Sequence, residues 1–590
     1  MSRAKSSKAP AVAEAHYSGA LSKVEAVIVG AIVLLFNVMV QCSGFRRGVE
    51  LMPWPDGLEY AASAVNLARG RGAVLHFGGY TYPSRYTAGY PLILEFFCRS
   101  NNGHFLQLAF LSTIIATVSI FSIFILARHL FGRSAAAIAA LVLALSPVFI
   151  TYSLLVMSDV PTLFVTICAA SMLVVAASDY AGQLQSARLA AWLMFGLFAG
   201  FSTIMRPTNA TILVGLGLCV VMVPFEKREL SSLIKAGVAA AIGFAIPVAW
   251  QLHQNAINLG SPFASGYAWW VPEVYGAGGR TFSIAYLFGP TMPRNPHGNV
   301  IVYLTTLLGL DGMLGDRGDA RYFLYPFPAA VFAIVGFIAI FRSGTSGARR
   351  LMWFGLGYLG ALTALYCFYL FTDVAFILPG AFILFLAAGA GAALANRWMR
   401  DAIRDRSRSN RQLAGVASVI VLDVLLIVSL TTEAVARLSA PPQSSLMVES
   451  LQSIDASLPR DATIISNISL QFLDLYLGES RSYVGLNSMD PGERFTDYHL
   501  HRLYEKRAAG WTGPLPAVAF DGDQMSAAEA DSLASTLEAK TPVLLLIAAP
   551  ESQQYADVLK SEFDQLQAKF TIDPVSQNEA VALYRLSARK

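Results

Sequence analysis

Asp56 and Glu59 stand three positions apart in W-P-D-G-L-E-Y-A-A-S-A-V-N-L-A-R-G (Trp54 to Gly70), just beyond the outer end of the first long hydrophobic run. Carboxylates beside the hydrocarbon boundary are costly unless they reach water or carry out chemistry. The chemistry open to them is proton transfer to or from a bound group. Asp159, in S-D-V-P where a later run begins, adds a third carboxylate. Arg206, in M-R-P-T, adds a guanidinium whose planar paired donors suit phosphate oxygens. Each residue has a plainer reading beside the chemical one: Asp56 and Asp159 fit a helix N-cap, and Arg206 fits a headgroup anchor.

Aromatic residues accompany these charges. Tyr60 follows Glu59, and Arg85 and Tyr86 lie in Y-P-S-R-Y-T-A-G-Y-P-L-I-L-E-F-F (Tyr82 to Phe97), where prolines and glycine set a turn before an apolar run. The segment from Gln251 to Arg321 holds Tyr267, Trp269, Trp270, Tyr275, Tyr286 and His297, with Arg280 and Arg294 among them. Aromatics near a membrane boundary are usually belt residues, and the same rings stack against a sugar or line a lipid groove.

The elements that must position these residues are membrane helices. Of the 590 residues 55% are hydrophobic and 14% charged, against roughly 25% charged in a soluble domain. Mean hydropathy is +0.51. A helix needs about 20 apolar residues to cross the hydrocarbon core. Suitable runs fall near 24–42, 105–127, 134–153, 160–178, 189–205, 208–225, 233–254, 322–341, 351–371, 374–395 and 413–432, which makes about eleven spans. The first lacks a small-residue cleavage site and reads as a retained anchor. A net charge of +4, with basic residues in short loops, orients the chain rather than binding nucleic acid.

Placing residues 1–23 in the cytoplasm puts Arg128, Arg133, Lys227, Arg228, Lys235, Arg342, Arg349 and Arg350 inside, together with the arginine-rich loop from Arg397 to Arg411. Loops 43–104 and 255–321 then lie outside, as does the region from 433 to 590. Asn299 to Leu310 is apolar but too short to span and reads as an interfacial helix. Were it to cross, the count would rise to twelve and the C-terminal region would move inside.

After residue 432 the composition becomes that of a soluble domain. Strands are expected at Thr463–Ser466, Ser482–Gly485, Val543–Ala548 and Ala580–Leu586, and helices near 469–477, 497–507, 526–538 and 552–567. The expected fold class is thus an all-α polytopic membrane domain, 24–432, followed by a small soluble α/β domain, 433–590. That domain has no cysteine and no glycine-rich phosphate loop, and His499 and His501 lack a metal-ligand partner in the sequence. The sequon at Asn467 carries no weight alone.

The acidic first loop (Asp56, Glu59, Tyr60), Y-P-S-R-Y-T-A-G-Y-P-L, S-D-V-P and M-R-P-T, taken in order and in position relative to the spans, resemble the GT-C membrane glycosyltransferases. The resemblance is to the branch of protein O-mannosyltransferases and lipid A aminoarabinose transferases, over roughly residues 20–400. It implies a polyprenyl-phosphate-linked sugar donor, an acceptor in the cell envelope on the outer face, and inversion at the anomeric carbon. By motif position Asp56 is the carboxylate that acts as base or orients the acceptor, Asp159 the second-loop acid, and Glu59 a further acidic residue. A departing lipid phosphate needs cationic stabilisation, which Arg206 or Arg85 would supply, and membrane lipid is an expected partner. Bacterial inner-membrane placement follows, with the C-terminal domain periplasmic.

Two departures stand out. Where relatives carry an arginine in a segment like R-F-L-L-P, this chain has D-V-A-F-I-L-P (Asp373 to Pro379), with Ala375 in the arginine's place. Arg280, Arg294 or His297 would then supply the phosphate contact. Glu59 is also not adjacent to Asp56, as acids are in several relatives, so use of a divalent cation (Mg or Mn) is left open. A multi-pass transporter and a non-catalytic envelope assembly protein are the competing readings. No internal repeat supports the first, and the charged candidates sit in loops rather than at mid-span.

Overall fold

A computed structural model describes residues 20–44, 55–77, 80–101, 105–177, 185–223, 230–270, 275–276, 279–291, 296–310, 324–404, 410–439, 446–455, 457–468, 473, 476–478, 481–486, 542–548, 553–578 and 580–589. In chain order the elements are α1 (Lys23–Gly44), α2 (Pro55–Ala68), the hairpin β1 (Val74–Phe77) and β2 (Tyr80–Pro83), α3 (Gly89–Asn101), α4 (Phe105–Phe131), α5 (Arg133–Ala144) and α6 (Pro147–Ser153). Then come α7 (Asp159–Ala177), α8 (Gln185–Met205), α9 (Ile212–Met222), α10 (Leu230–Leu259), α11 (Gly266–Trp270), α12 (Asn299–Leu307), α13 (Phe327–Ser343), α14 (Ser346–Cys367), α15 (Leu378–Arg404) and α16 (Asn410–Ser439). The C-terminal part holds α17 (Leu446–Asp455), β3 (Thr463–Ser466), β4 (Ser482–Gly485), β5 (Val543–Ala548), α18 (Gln553–Lys569), β6 (Phe570–Gln577) and β7 (Val581–Ala588). The chain separates into two compact units. One is drawn from 1–44, 109–251 and 280–440, the other from 45–108, 252–279 and 441–590.

The first unit is the helical membrane body, and the protein is a multi-pass membrane protein. Each expected span contains helix, but the count of eleven is not reproduced: among the described residues seven helices are long and apolar enough to cross by themselves. Ser146 and Pro147 explain one shortfall, because the proline breaks the helix and α5 and α6 meet at 63°. The segments Pro207–Met222 and Phe327–Ser343 are shorter than a full crossing. The interfacial segment is a nine-residue helix, α12, too short to span.

The most apolar stretch of Val374–Arg404, mostly in α15, is almost entirely buried and forms the centre, whereas α10 and α16 have few buried residues and present Ile242, Ile246, Val421, Val424 and Val428 outward. Such faces suit lipid. Glycines bring the central helices close: a Cβ on Gly391 of α15 would lie 1.9 Å from the carbonyl oxygen of Phe332 on α13, and one on Gly336 would lie 2.0 Å from that of Ala387. We expect Gly391→Ala to cost at least about 1–3 kcal/mol of stability. Gly360→Ala, which meets open space on an exposed face of α14, should be neutral or stabilising by up to about 1 kcal/mol. Thermal unfolding of the purified protein in nanodiscs checks both, and equal midpoints for the two variants would refute the close-packing argument.

Charged residues near helix ends form clasps. Glu25 accepts from Arg128 Nε at 2.7 Å and Arg133 Nε at 2.9 Å, and exchanges capping hydrogen bonds with Ser22. The Arg350 guanidinium donates to the carbonyl of Ala177 at 2.8 Å, closing the end of α7.

The second unit contains a five-stranded sheet in the order β4-β3-β5-β7-β6. β4, β3 and β5 are parallel, and β7 and β6 add antiparallel. Four strands fall where expected. β6 does not read as a strand because Pro574 interrupts it, and the structure accommodates that proline at a register shift on the sheet edge. Helix α18 occupies the position expected near 552–567, while 497–507 and 526–538, with His499 and His501, lie outside the described residues. Asn467 is buried, its amide donating to the carbonyl of Ala548 at 2.9 Å and accepting from its N–H at 2.8 Å, so its side chain is already engaged in the folded protein. All five cysteines are free.

Candidate active site

Two clusters hold seven of the candidate residues, one in each unit. In the second unit, α2 begins at Pro55, whose fixed φ suits a first helical turn, and Asp56 follows where the helix dipole favours an anion. The helix ends through Asn66, which donates to the carbonyls of Ala62 at 3.1 Å and Val74 at 3.0 Å and so ties helix to hairpin. Gly70 and Gly72, at φ 74° and 92°, make the turn between them.

The two carboxylates on this helix differ in their surroundings. Glu59 is fully buried and accepts from the Arg85 backbone N–H at 2.5 Å, Arg85 Nε at 2.6 Å and Ser84 Oγ at 3.1 Å. The Asp56 side chain is 40% exposed, with Arg85 Nη2 at 4.0 Å. Burial by itself would weaken the charge on Arg85, but the Glu59 and Asp56 carboxylates outweigh it and hold the guanidinium pKa well above its usual value. The phenol rings of Tyr60 and Tyr86 lie 4.5 Å apart, those of Tyr86 and Tyr267 5.3 Å, and those of Tyr267 and Tyr275 4.9 Å. The Arg85 guanidinium sits 5.2 Å from the Tyr86 centroid. The close approach of α11 needs Gly266, where a Cβ would meet the Ser84 carbonyl at 2.1 Å.

In the first unit, Asp159 is the first residue of α7 and is buried. Its Oδ1 accepts from Arg206 Nη1 at 2.5 Å, and its Oδ2 has no hydrogen bond among the described residues. Arg206 stands in extended backbone between α8 and a 3-10 turn (Pro207–Thr211), the conformation a following proline imposes, and its guanidinium lies 5.0 Å from the Phe376 centroid. Thr208 Oγ1 and the Tyr366 hydroxyl are 2.8 Å apart. Asp373 accepts from the Tyr152 hydroxyl through one oxygen and from the Ala375 N–H at 2.8 Å through the other. Asn299, at the start of α12, is buried and donates to the carbonyls of Tyr366 at 3.0 Å and Tyr369 at 2.7 Å, while Thr372 Oγ1 donates to its amide oxygen. The long loop is thereby pinned to the end of α14.

A model of the dolichyl-phosphate-mannose-protein mannosyltransferase family matches residues 88–251. Over the whole chain the structure resembles ArnT from Cupriavidus metallidurans bound to undecaprenyl phosphate, with a TM-score of 0.58 at 13% identity, covering 94% of this chain and 98% of that one. It also resembles the oligosaccharyltransferase AglB from Archaeoglobus fulgidus in complex with an inhibitory peptide and a dolichol-phosphate, with a TM-score of 0.54 at 11% identity, covering 96% and 74%. The fold is that of the GT-C membrane glycosyltransferases. No curated protein sequence matches the chain.

On this GT-C fold the sequence-picked residues fall into distinct places. Asp56, Glu59, Tyr60, Arg85 and Tyr86 gather in one cluster, and Asp159 and Arg206 pair in the other. Arg280 is exposed, its carbonyl accepting from the Tyr286 hydroxyl at 2.8 Å, and His297 is half-buried. Trp269 is half-buried against the core of the C-terminal sheet. Arg294 lies outside the described residues, as does the side chain of Trp270.

Sequence reasoning passed over Tyr152, Asn299, Tyr366 and Asp373 as site residues. Asp373 opens the D-V-A-F-I-L-P segment noted only for its missing arginine, and an acid at the mouth of a span is the signal that would have found it. Among the described residues no three His, Cys, Asp or Glu side chains gather as a metal site.

Proposed function

We propose that the protein is an inverting glycosyltransferase that moves one sugar from a polyprenyl monophosphate carrier to an acceptor on the outer face of the membrane. The observation that carries this reading is the contrast on α2: Glu59 is saturated by Arg85 and Ser84, while Asp56, one turn earlier, keeps an accessible carboxylate beside a fixed cation. A general base must be reachable by its substrate, and Asp56 meets that condition. Glu59 acts through Arg85 and is a positioning residue.

In the reaction the acceptor hydroxyl gives its proton to Asp56 as its oxygen attacks the anomeric carbon from the face opposite the leaving group. The bond from that carbon to the phosphate oxygen breaks, and its electron pair stays on the lipid phosphate. Guanidinium groups neutralise that charge, and Arg85, beside Asp56, is assigned to this role; Arg206, Arg280 and Arg294 are separate candidates for a phosphate contact. Asp159 holds Arg206 within the first unit's own cluster. Beside Asp56 the tyrosines at 60, 86 and 267 line the sugar's approach. The N-terminus is cytoplasmic, the C-terminal domain periplasmic, and the membrane the bacterial inner membrane.

The GT-C fold and the lipid phosphates in ArnT and AglB support a lipid-linked donor. The test is to incubate purified protein in nanodiscs with a panel of radiolabelled polyprenyl-phosphate hexoses and pentoses and an envelope extract. Released polyprenyl phosphate and a labelled product of inverted anomeric configuration are expected. A retained configuration would contradict the mechanism, and an unconsumed panel would favour the transporter or assembly reading.

A further inference from the structure

We propose that the C-terminal domain is the mount that fixes the helix carrying Asp56, with Leu58 as the positioning residue. This rests on Asp56 being the base.

The sheet of this domain has two apolar faces, as strand alternation demands. Leu545 of β5 and Leu586 of β7 point to one face, which α18 covers with Leu566. Leu544, Leu546, Ile464 and Leu583 point to the other, where α17 contributes Leu451 and Ile454. That second cluster is completed from the first outer loop, by Leu58 of α2 and by the cross-strand pair Leu75 and Tyr82 of the hairpin, all at most 3% exposed. Residues nearly 400 positions apart in the chain therefore share one buried core, and separating them would expose both sides to water.

The core reaches the Asp56 cluster by two routes. Leu58 is the immediate neighbour of Glu59, whose carboxylate fixes Arg85. Tyr275 also packs against the core, and its ring leads through Tyr267 to Tyr86. A domain that only collected the acceptor would have no need to bury α2 in its own core.

Hydrogen–deuterium exchange of the full-length protein in lipid nanodiscs tests this without substrate. Leu546→Ala, on the face shared with α2, should speed amide exchange in residues 55–68 at least about tenfold, whereas Leu545→Ala, on the opposite face of the same strand, should change it by less than about threefold. Reciprocally, Leu58→Ala should speed exchange in residues 543–548 at least about tenfold. If Leu546→Ala fails to fold, Leu58→Ala decides alone. Unchanged exchange in the partner segment, or an equal response of α2 to both β5 variants, would overturn the proposal. Because no turnover is measured, its failure leaves the transferase reading standing, and failure of that reading leaves the mount standing as structure.

Discussion

Asp56→Asn is expected to lower sugar-transfer turnover by about 10²–10⁴-fold, the usual worth of a positioned general base. Asparagine keeps the shape of the side chain and remains compatible with the start of α2, so folding should be retained. What it loses is the ability to take the acceptor's proton. Because the Asp56 side chain is 40% exposed and only loosely paired with Arg85, unfolding stability should change by less than about 1 kcal/mol. Donor KM should move little while kcat collapses. Steady-state turnover with whichever labelled donor of the polyprenyl-phosphate panel is consumed, read beside a thermal unfolding curve, separates the two effects. A fall of less than about threefold would remove Asp56 from proton transfer and reopen the scaffold reading.

Glu59→Ala should act in the opposite way, through stability. It strips a fully buried carboxylate from a nearly buried arginine and leaves the Ser84 hydroxyl and the Arg85 backbone N–H without their shared acceptor. Breaking a buried ion pair from one side costs about 3–5 kcal/mol, because the remaining charge is stranded away from water. The double replacement of Glu59 by Leu and Arg85 by Met should recover most of that loss, since no charge then remains buried. Unfolding midpoints in nanodiscs decide the matter. A single variant as stable as the parent would mean that the pair does not hold the loop, and with it the placement of Arg85 beside Asp56 would lose its support.

Much of the architecture can be read from the one-dimensional pattern because the dominant signal is local. A run such as Phe105–Phe131 declares a membrane helix by length and hydropathy, and Val543–Ala548 declares a buried strand between polar flanks. The failures have local causes too: Pro147 bends one expected span, and Pro574 hides an edge strand. The candidate carboxylates were visible because acids beside a membrane boundary are conspicuous by cost.

Their partners were not visible. Glu59 and Arg85 lie 26 positions apart and Tyr152 and Asp373 lie 221 apart, and no periodicity links either pair. For the same reason sequence could nominate Asp56 and Glu59 together but could not divide their roles, which depends on which one a distant arginine occupies. The burial of Leu58 in the core of a domain that begins almost 400 residues later is invisible to any local rule.

The most direct measurement of the central claim is photocrosslinking with a polyprenyl monophosphate bearing a photoreactive group next to the phosphate, followed by mass spectrometry of the labelled peptides. Adducts are expected on the peptides carrying residues 55–68 and 82–90, competed away by unlabelled polyprenyl phosphate sugar. Adducts confined to other parts of the chain, with these two peptides unlabelled at saturating lipid, would contradict it.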